Sequence, residues 1–250
     1  RDAQESRGLG DVYKRQNLNI WTPSIRDGRK RPVMVWLHGG GFSAGSSIEQ
    51  LAYDGENLSR SGDVVVVSVN HRLNVLGYLD LSPFGEKYRD SANAGNLDLI
   101  AALEWIRDNI EGFGGDPENV TLFGQSGGGV KVWSLLQMPE ADGLFHKGII
   151  ESGVVDPDLL GDAEDGNGRE IVKAMLAELG LEEKDVDQLE TLPYDQLAQA
   201  YENAAPKVAQ KGEYVGNHPH KNQSYFGDAI KHGFREETKK IPLLIGTVLG

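Results

Sequence analysis

Short apolar runs alternate along this chain with glycine-rich turns and with stretches of helical periodicity. Within each run the apolar residues are nearly continuous, which is typical of strands buried on both faces of a parallel sheet. The pattern therefore predicts an α/β fold with a mostly parallel central sheet and helices on both faces. The predicted strands are Leu18–Trp21, Val33–Leu37, Val64–Val69, Val120–Phe123, Gly148–Ser152 and a final buried strand within Ile241–Val248.

Helical periodicity is clearest between Asn96 and Ile110, where apolar residues recur at three- and four-residue spacing and form one stripe to pack on the sheet. Beyond Asp156 two acidic amphipathic segments, Glu170–Leu181 and Asp185–Ala204, predict a helical insertion over about residues 157–235. We expect residues 17–250 to form one partial domain. Residues 1–16 are polar and without periodicity, and we expect a non-native or disordered segment there.

Composition narrows the classes of function. The net charge of −13 favours solubility and repels phosphate backbones and anionic membrane surfaces, so we expect no nucleic-acid and no membrane partner. The chain contains no cysteine, which excludes a thiol nucleophile and a cysteine zinc site. Its longest aliphatic run is too short to cross a bilayer and no signal peptide is apparent, so we expect a soluble protein.

The candidate nucleophile is Ser126, which lies between the strand ending at Phe123 and a helix beginning near Val130. A serine at such a sharp strand-to-helix turn is held in a strained conformation, with its hydroxyl presented at the end of the sheet. The turn also brings together the residues two before and two after the serine, where only small side chains fit. Gly124 and Gly128 meet that requirement.

A second glycine-rich element, "LHGGGF" at Leu37–Phe42, follows another predicted buried strand. Consecutive glycines allow the backbone to curl so that peptide N–H groups point at a reacting carbonyl oxygen, and the residue after the nucleophile adds another donor. Each preorganised donor of this kind lowers the transition-state energy by roughly 3–4 kcal/mol. A flexible loop is the ordinary interpretation of a glycine triplet, but its place beside a nucleophile turn favours an oxyanion hole.

These blocks together resemble the type B carboxylesterase and cholinesterase family of α/β-hydrolases. The resemblance covers most of Leu18–Gly153, through "PVMVWLHGGGF", "VVVVSVNHRLNVLGYL", "VTLFGQSGGG" and "LFHKGIIESG", and resumes at "IPLLIGT". It implies a nucleophile at Ser126, oxyanion donors at the amides of Gly40, Gly41 and Gly127, and hydrolysis of small-molecule esters through an acyl-enzyme. It implies no metal and no cofactor.

The chain departs from the family pattern in three ways. Gln125 and Gly127 stand where the family commonly has Glu and Ala. The resemblance puts the triad acid about one residue beyond Gly250 and the triad histidine roughly a hundred residues later. The family also normally has some tens of residues before "LNIW". We therefore expect the middle part of a longer esterase, incomplete at both ends of the domain and strongly impaired by itself.

Two other functions remain open at this stage. One is a non-catalytic cholinesterase-like binding module, although such modules usually lack the nucleophile. The other is a lipase or amidase on the same fold, because a fold does not determine a substrate. Chain order would also allow His218, His220 or His232 to replace the expected base, but their sequence context is that of a loop. We interpret His38, His71 and His146 as structural.

Overall fold

The structure of the protein, a computed structural model, describes residues 16–25, 27–156, 167–216 and 218–248. The described residues form one six-stranded sheet in the order β1-β3-β2-β4-β5-β6. The strands are β1 (Asn17–Trp21), β2 (Arg31–Leu37), β3 (Val65–Asn70), β4 (Gly115–Gln125), β5 (Lys147–Glu151) and β6 (Leu243–Gly246). All neighbouring strands run parallel except β1, which pairs antiparallel with β3. The predicted mostly parallel sheet is confirmed.

The α-helices are α1 (Glu56–Gly62), α2 (Asn74–Tyr78), α3 (Ala94–Asn109), α4 (Gly127–Leu135), α5 (Arg169–Glu178), α6 (Tyr194–Ala209) and α7 (Ala229–His232). Short 3-10 helices lie at Leu51–Tyr53, Ser82–Phe84, Glu86–Tyr88, Ser91–Asn93, Ile110–Phe113, Pro139–Ala141 and Glu183–Glu190. The chain moves one way across the sheet from β2 to β3, and the other way from β3 to β4 and from β4 to β5. Right-handed crossovers therefore place α1 on one face and α3 and α4 on the other.

Two apolar cores stabilise the described part of the chain. The larger one joins the sheet to α3 and α4, and its fully buried members include Val35, Leu122 and Ile150 on the strands and Ile106 on α3. The second core joins α5 and α6, with Met175 of α5 fully buried in it. Both helices lie in the region predicted as a helical insertion, whose status as a separate unit remains a prediction. The core also includes Leu76 of α2, Leu79 and Tyr88, which lie outside that region.

The structure corrects two expectations. The last strand was predicted to be buried, but Leu244 and Ile245 of β6 are 67% and 50% exposed. Among the described residues β6 pairs only with β5, and no described strand covers its other edge. The helix predicted over Asp185–Ala204 is divided into a 3-10 helix and α6, because Pro193 disfavours helical geometry at the residue before it.

The predicted non-native segment, residues 1–16, lies outside the described residues except for Gln16. The side-chain amide of Gln16 donates a hydrogen bond to Asp98 of α3. Residues 157–166 of the predicted insertion and residues 249–250 also lie outside the described part.

Candidate active site

The two glycine-rich segments leave the sheet side by side. Leu37, the last residue of β2, pairs in register with Gly124 near the end of β4. The connections that follow these two neighbouring strands run in opposite directions across the sheet. In open α/β sheets the crevice beyond the carboxyl ends of such strands is the usual place for a ligand. The fold therefore brings the predicted nucleophile turn and the predicted oxyanion loop to one crevice.

Ser126 has a backbone conformation that is unusual for a residue with a side chain. Its φ is 54° and its ψ is −124°, directly before the first residue of α4, and the residue is exposed. Its N–H donates to Glu151 O at 2.8 Å, and its carbonyl accepts from Val130 N at 3.0 Å. The surrounding sheet and helix thus hold a strained conformation that presents the hydroxyl outward.

Gly124 and Gly128 pack against one another beneath this turn. A Cβ on Gly124 would lie 2.5 Å from the carbonyl carbon of Gly128. A Cβ on Gly128 would lie 2.0 Å from the carbonyl oxygen of Leu37. Real Cβ atoms do not approach backbone so closely, so both positions require glycine for the backbones to meet.

The glycine loop, Gly39–Gly41, curls over the start of α4. Gly40 and Gly41 have φ values of 88° and 61°, which favour glycine. Their amides donate to no backbone or side-chain acceptor within the described part of the chain. Gly127 is the first residue of α4, where helix N–H groups have no intrahelical partner. A Cβ on Gly127 would lie 2.3 Å from the Gly41 nitrogen, so these predicted donor residues are adjacent.

The far end of the glycine loop is held by Asn74, the first residue of α2. Its backbone N–H donates to Phe42 O at 2.7 Å, and its side-chain amide donates to Ser43 O at 3.3 Å and to Tyr194 Oη at 2.9 Å. Asn74 has a φ of 49°, a left-handed conformation that Asn tolerates better than most residues. The loop is thereby connected to the start of α6.

A buried group of three basic side chains lies behind the near end of the loop, which is the end where His38 leads from β2 into Gly39. Lys131 of α4 is completely buried, and its Nζ donates to His38 O at 2.9 Å. The rings of His38 and His71 stack with centroids 5.3 Å apart. Burial, with a further contribution from Lys131, lowers the pKa of His38 to about 4 and that of His71 well below its ordinary value. Burial lowers the pKa of Lys131 to about 7.

Sequence reasoning missed this group. The signal was a single lysine within the apolar helix "GGVKVWSLL", where a charged residue has no expected partner. Both imidazoles lie in the described part of the chain with a buried Nε2 that makes no hydrogen bond. They are neutral, buried residues, in keeping with the structural role predicted for them.

No described histidine makes a hydrogen bond with Ser126. His218 and His220 pack against the ring of Tyr214, with centroid distances of 6.0 and 4.8 Å. His146 accepts from Val120 N through Nδ1 at 3.1 Å. His232 ends α7, where its ring lies near Gly227. The crevice therefore brings together the predicted nucleophile and the predicted amide donors, and none of the described histidines is hydrogen-bonded to Ser126.

The described residues contain neither a metal-binding cluster nor a membrane-spanning helix. No group of three or more histidine, aspartate or glutamate side chains is arranged to hold a metal ion there. None of the helices in that part of the chain is both long and apolar enough to cross a bilayer.

Comparison with known proteins gives consistent matches to esterases. A sequence model described as the carboxylesterase family matches residues 17–249. The para-nitrobenzyl esterase of Bacillus subtilis is 40% identical over 240 residues, covering 92% of this chain and 45% of that protein. Carboxylesterase 3B of Mus musculus is 49% identical over 146 residues, covering 58% of this chain and 24% of that protein.

The solved structures agree. An esterase from Clostridium hathewayi, described as able to hydrolyse aliphatic aromatic polyesters, is 57% identical with a TM-score of 0.91, covering 94% of this chain and 46% of that one. A PNB esterase structure is 37% identical with a TM-score of 0.75, covering 93% of this chain and 48% of that one. The chain thus spans about half the length of the esterases that it matches along most of its own length.

Proposed function

The chain belongs to the carboxylesterase family and has the α/β-hydrolase fold, and from this premise we propose that the whole protein hydrolyses carboxylic esters through an acyl-enzyme on Ser126. The observation that carries the proposal is the contact between the exposed, strained turn at Ser126 and the glycine loop. A nucleophile and several unused amides at one crevice are the minimum arrangement for acyl transfer.

In this mechanism a general base takes the proton of Ser126 as Oγ attacks the ester carbonyl carbon. The carbonyl oxygen becomes an anion, which the amides of Gly40, Gly41 and Gly127 stabilise. The protonated base then gives its proton to the leaving alcohol, and the acyl group stays on Oγ. Water, deprotonated by the same base, then attacks the carbonyl carbon of the acyl-enzyme. The acid is released, and the base returns the proton to Oγ, which restores the serine hydroxyl.

The position of Ser126 adds an electrostatic contribution. It immediately precedes α4, whose N-terminus carries the positive end of the helix dipole. Negative charge that develops on the tetrahedral intermediate lies close to that end. Because Ser126 Oγ has no hydrogen-bonded base among the described residues, we expect the 250-residue chain alone to turn over esters at least about a hundred times more slowly than the whole protein.

The decisive experiment is covalent labelling of the whole protein with a fluorophosphonate probe. We expect Ser126→Ala to abolish labelling and ester turnover. Ser152→Ala is the matched control, because Ser152 also has a left-handed φ, 51°, and also follows a strand of the sheet. Unchanged labelling of Ser126→Ala would refute the assignment of the nucleophile.

The same experiment separates the competing functions. A binding module with this scaffold would not react with the probe, whereas a lipase or an amidase would react but differ in substrate. Hydrolysis should therefore be compared for p-nitrophenyl esters, a water-insoluble triglyceride and an anilide. Because one relative is described as hydrolysing aliphatic aromatic polyesters, soluble esters that join an aromatic acid to an aliphatic alcohol belong in the same assay.

A further inference from the structure

Lys131 occupies a position that is unfavourable for a cation. It is 0% exposed and forms no ion pair within the described part of the chain. It is the fifth of the nine residues of α4, so it lies outside the last turn, where the helix dipole would stabilise a cation. A buried charge without a partner generally destabilises a fold. Packing by itself therefore gives no reason for a lysine at this position.

The groups that face Lys131 are not anionic. The Phe42 ring centroid lies 6.0 Å from Nζ. The imidazoles of His38 and His71 lie close enough for the charge of Lys131 to lower their pKa values, and Arg72 lowers that of His71 as well. The hydrogen bond of Lys131 to His38 O, at 2.9 Å, is thus its defined polar contact.

That contact lies at the start of the glycine loop. His38 stands between the last residue of β2 and Gly39. A Cβ on Gly39 would lie 3.7 Å from Ser126 Cβ, so the peptide held by Lys131 immediately precedes a residue that packs against the nucleophile. Gly128, one helical turn before Lys131, has its Cα against the carbonyls of Leu37 and His38. One face of α4 therefore supports the near end of the loop.

The far end of the loop is already held to α2 by Asn74, through Phe42 O and Ser43 O. The near end has the hydrogen bond from Lys131 and a local contact between His38 Nδ1 and Gly39 O at 2.8 Å. Of these two contacts, only the bond from Lys131 connects the near end to α4, the helix that follows Ser126. Loss of that bond would leave the loop free to shift relative to the nucleophile.

We propose that Lys131 is a positioning residue, which holds the His38 carbonyl so that the amides of Gly40 and Gly41 stay in register with Ser126. This inference rests on the proposed role of Ser126 and the glycine loop as nucleophile and oxyanion hole. Lys131 touches no reacting atom in this proposal. It acts by fixing the distance between two segments that both contribute to the crevice.

The test compares Lys131→Met with the unmodified whole protein. Met has a similar length and removes both the hydrogen bond and the buried charge. We expect kcat to fall by about 10- to 100-fold, because small misplacements of catalytic groups have effects of that size. KM should change by less than about threefold, since the oxyanion contacts strengthen only in the transition state.

A trifluoromethyl ketone gives a second readout. It forms a tetrahedral adduct with a serine nucleophile, so its affinity should fall by the same factor as kcat. Thermal unfolding should show Lys131→Met to be at least as stable as the unmodified protein, because an unpaired buried charge has been removed. A merely structural lysine would give the opposite result, with lower stability and proportionate loss of active protein.

Ser134→Ala is the matched control on the same helix. Ser134 is buried, accepts from Asn96 Nδ2 at 3.0 Å and donates to Lys131 O at 2.9 Å, but it does not contact the loop. We expect this variant to lose stability and to keep kcat and adduct affinity. The proposal is overturned if Lys131→Met keeps both, or if Ser134→Ala lowers them equally. Turnover by Ser126→Ala would instead overturn the proposed function.

Discussion

Gly127 lies so close to Gly41 that a methyl group on Gly127 would overlap the Gly41 backbone. A Cβ on Gly127 would lie 2.3 to 2.7 Å from the nitrogen, Cα and oxygen of Gly41. The residue after the proposed nucleophile is therefore in direct contact with the glycine loop. This contact requires glycine at position 127 in the backbone arrangement that the structure shows.

The first prediction concerns Gly127→Ala. The added methyl group has to displace the Gly41 backbone, because the atoms that it meets belong to main chain and not to a flexible side chain. We expect the rate of fluorophosphonate labelling of the whole protein to fall by at least about tenfold, since the amide donors move relative to Ser126. The measurement is the second-order rate constant for labelling.

Gly112→Ala is the control for this prediction. A Cβ there meets no atom within 4 Å, and Gly112 lies in the 3-10 helix at Ile110–Phe113. It should therefore label at the unmodified rate, with a stability change of no more than about 1 kcal/mol. Equal labelling rates for Gly127→Ala and the unmodified protein would show that the loop accommodates the methyl group.

The second prediction concerns the strain at Ser126. Its φ of 54° and ψ of −124° lie in a region that glycine adopts far more readily. We expect Ser126→Gly to raise the free energy of unfolding by about 1 kcal/mol, because relief of strain exceeds the added entropy of the unfolded chain. Differential scanning calorimetry gives the comparison.

Ser126→Ala keeps the strain, because alanine also has a Cβ, and should unfold close to the unmodified temperature. Both variants are expected to lose labelling. Comparison of the two variants therefore distinguishes the effect of losing the hydroxyl from the effect of relieving the backbone strain. If the two variants unfold at the same temperature, the turn is not strained.

The third prediction concerns pH. Burial lowers the pKa of Lys131 from 10.5 to about 7. Between these values the unfolded chain binds more protons than the folded one, so the free energy of unfolding should rise with pH from about 7 to 9. Below pH 7 Lys131 is protonated in both states, and its effect on stability no longer depends on pH. Denaturant titrations at several pH values measure this rise.

Lys131→Met should flatten the stability profile in that window. The other lysines with a cited shift, Lys30 and Lys87, have raised pKa values, so their effect on stability changes only near or above pH 10.5. The flattening would therefore be specific to Lys131. A profile that rises equally in the variant would mean that Lys131 keeps an ordinary pKa in the folded protein.

Much of the sheet was predictable from the sequence. The runs at Val33–Leu37 and Val120–Phe123 lie within β2 and β4, where buried residues alternate with half-buried ones, so both faces of each strand favour mostly apolar side chains. The stripe from Asn96 to Ile110 likewise corresponds to α3 within two residues. The exposure of β6 was not predictable, because a run such as "LLIG" is the same whether a further strand covers it or not.

The close approach of the glycine backbones at the turn was also predictable from the sequence. Gly124 and Gly128 were expected to approach one another, because a tight turn around Ser126 demands it whatever the rest of the fold. By contrast, the bond between Lys131 and His38 joins residues 93 positions apart. Neither the periodicity nor the spacing of residues in the sequence predicts such a contact.

The sequence by itself determined the order of strands and helices, the turn at Ser126 and the family resemblance, because each depends on neighbouring residues. The tertiary structure alone decided which backbones touch: Gly127 with Gly41, and Lys131 with the carbonyl that precedes the glycine loop. The physical reason is that the pattern of apolar residues along a strand or helix indicates only which side of that element is buried. Which other element packs against that side depends on the packing of the whole core.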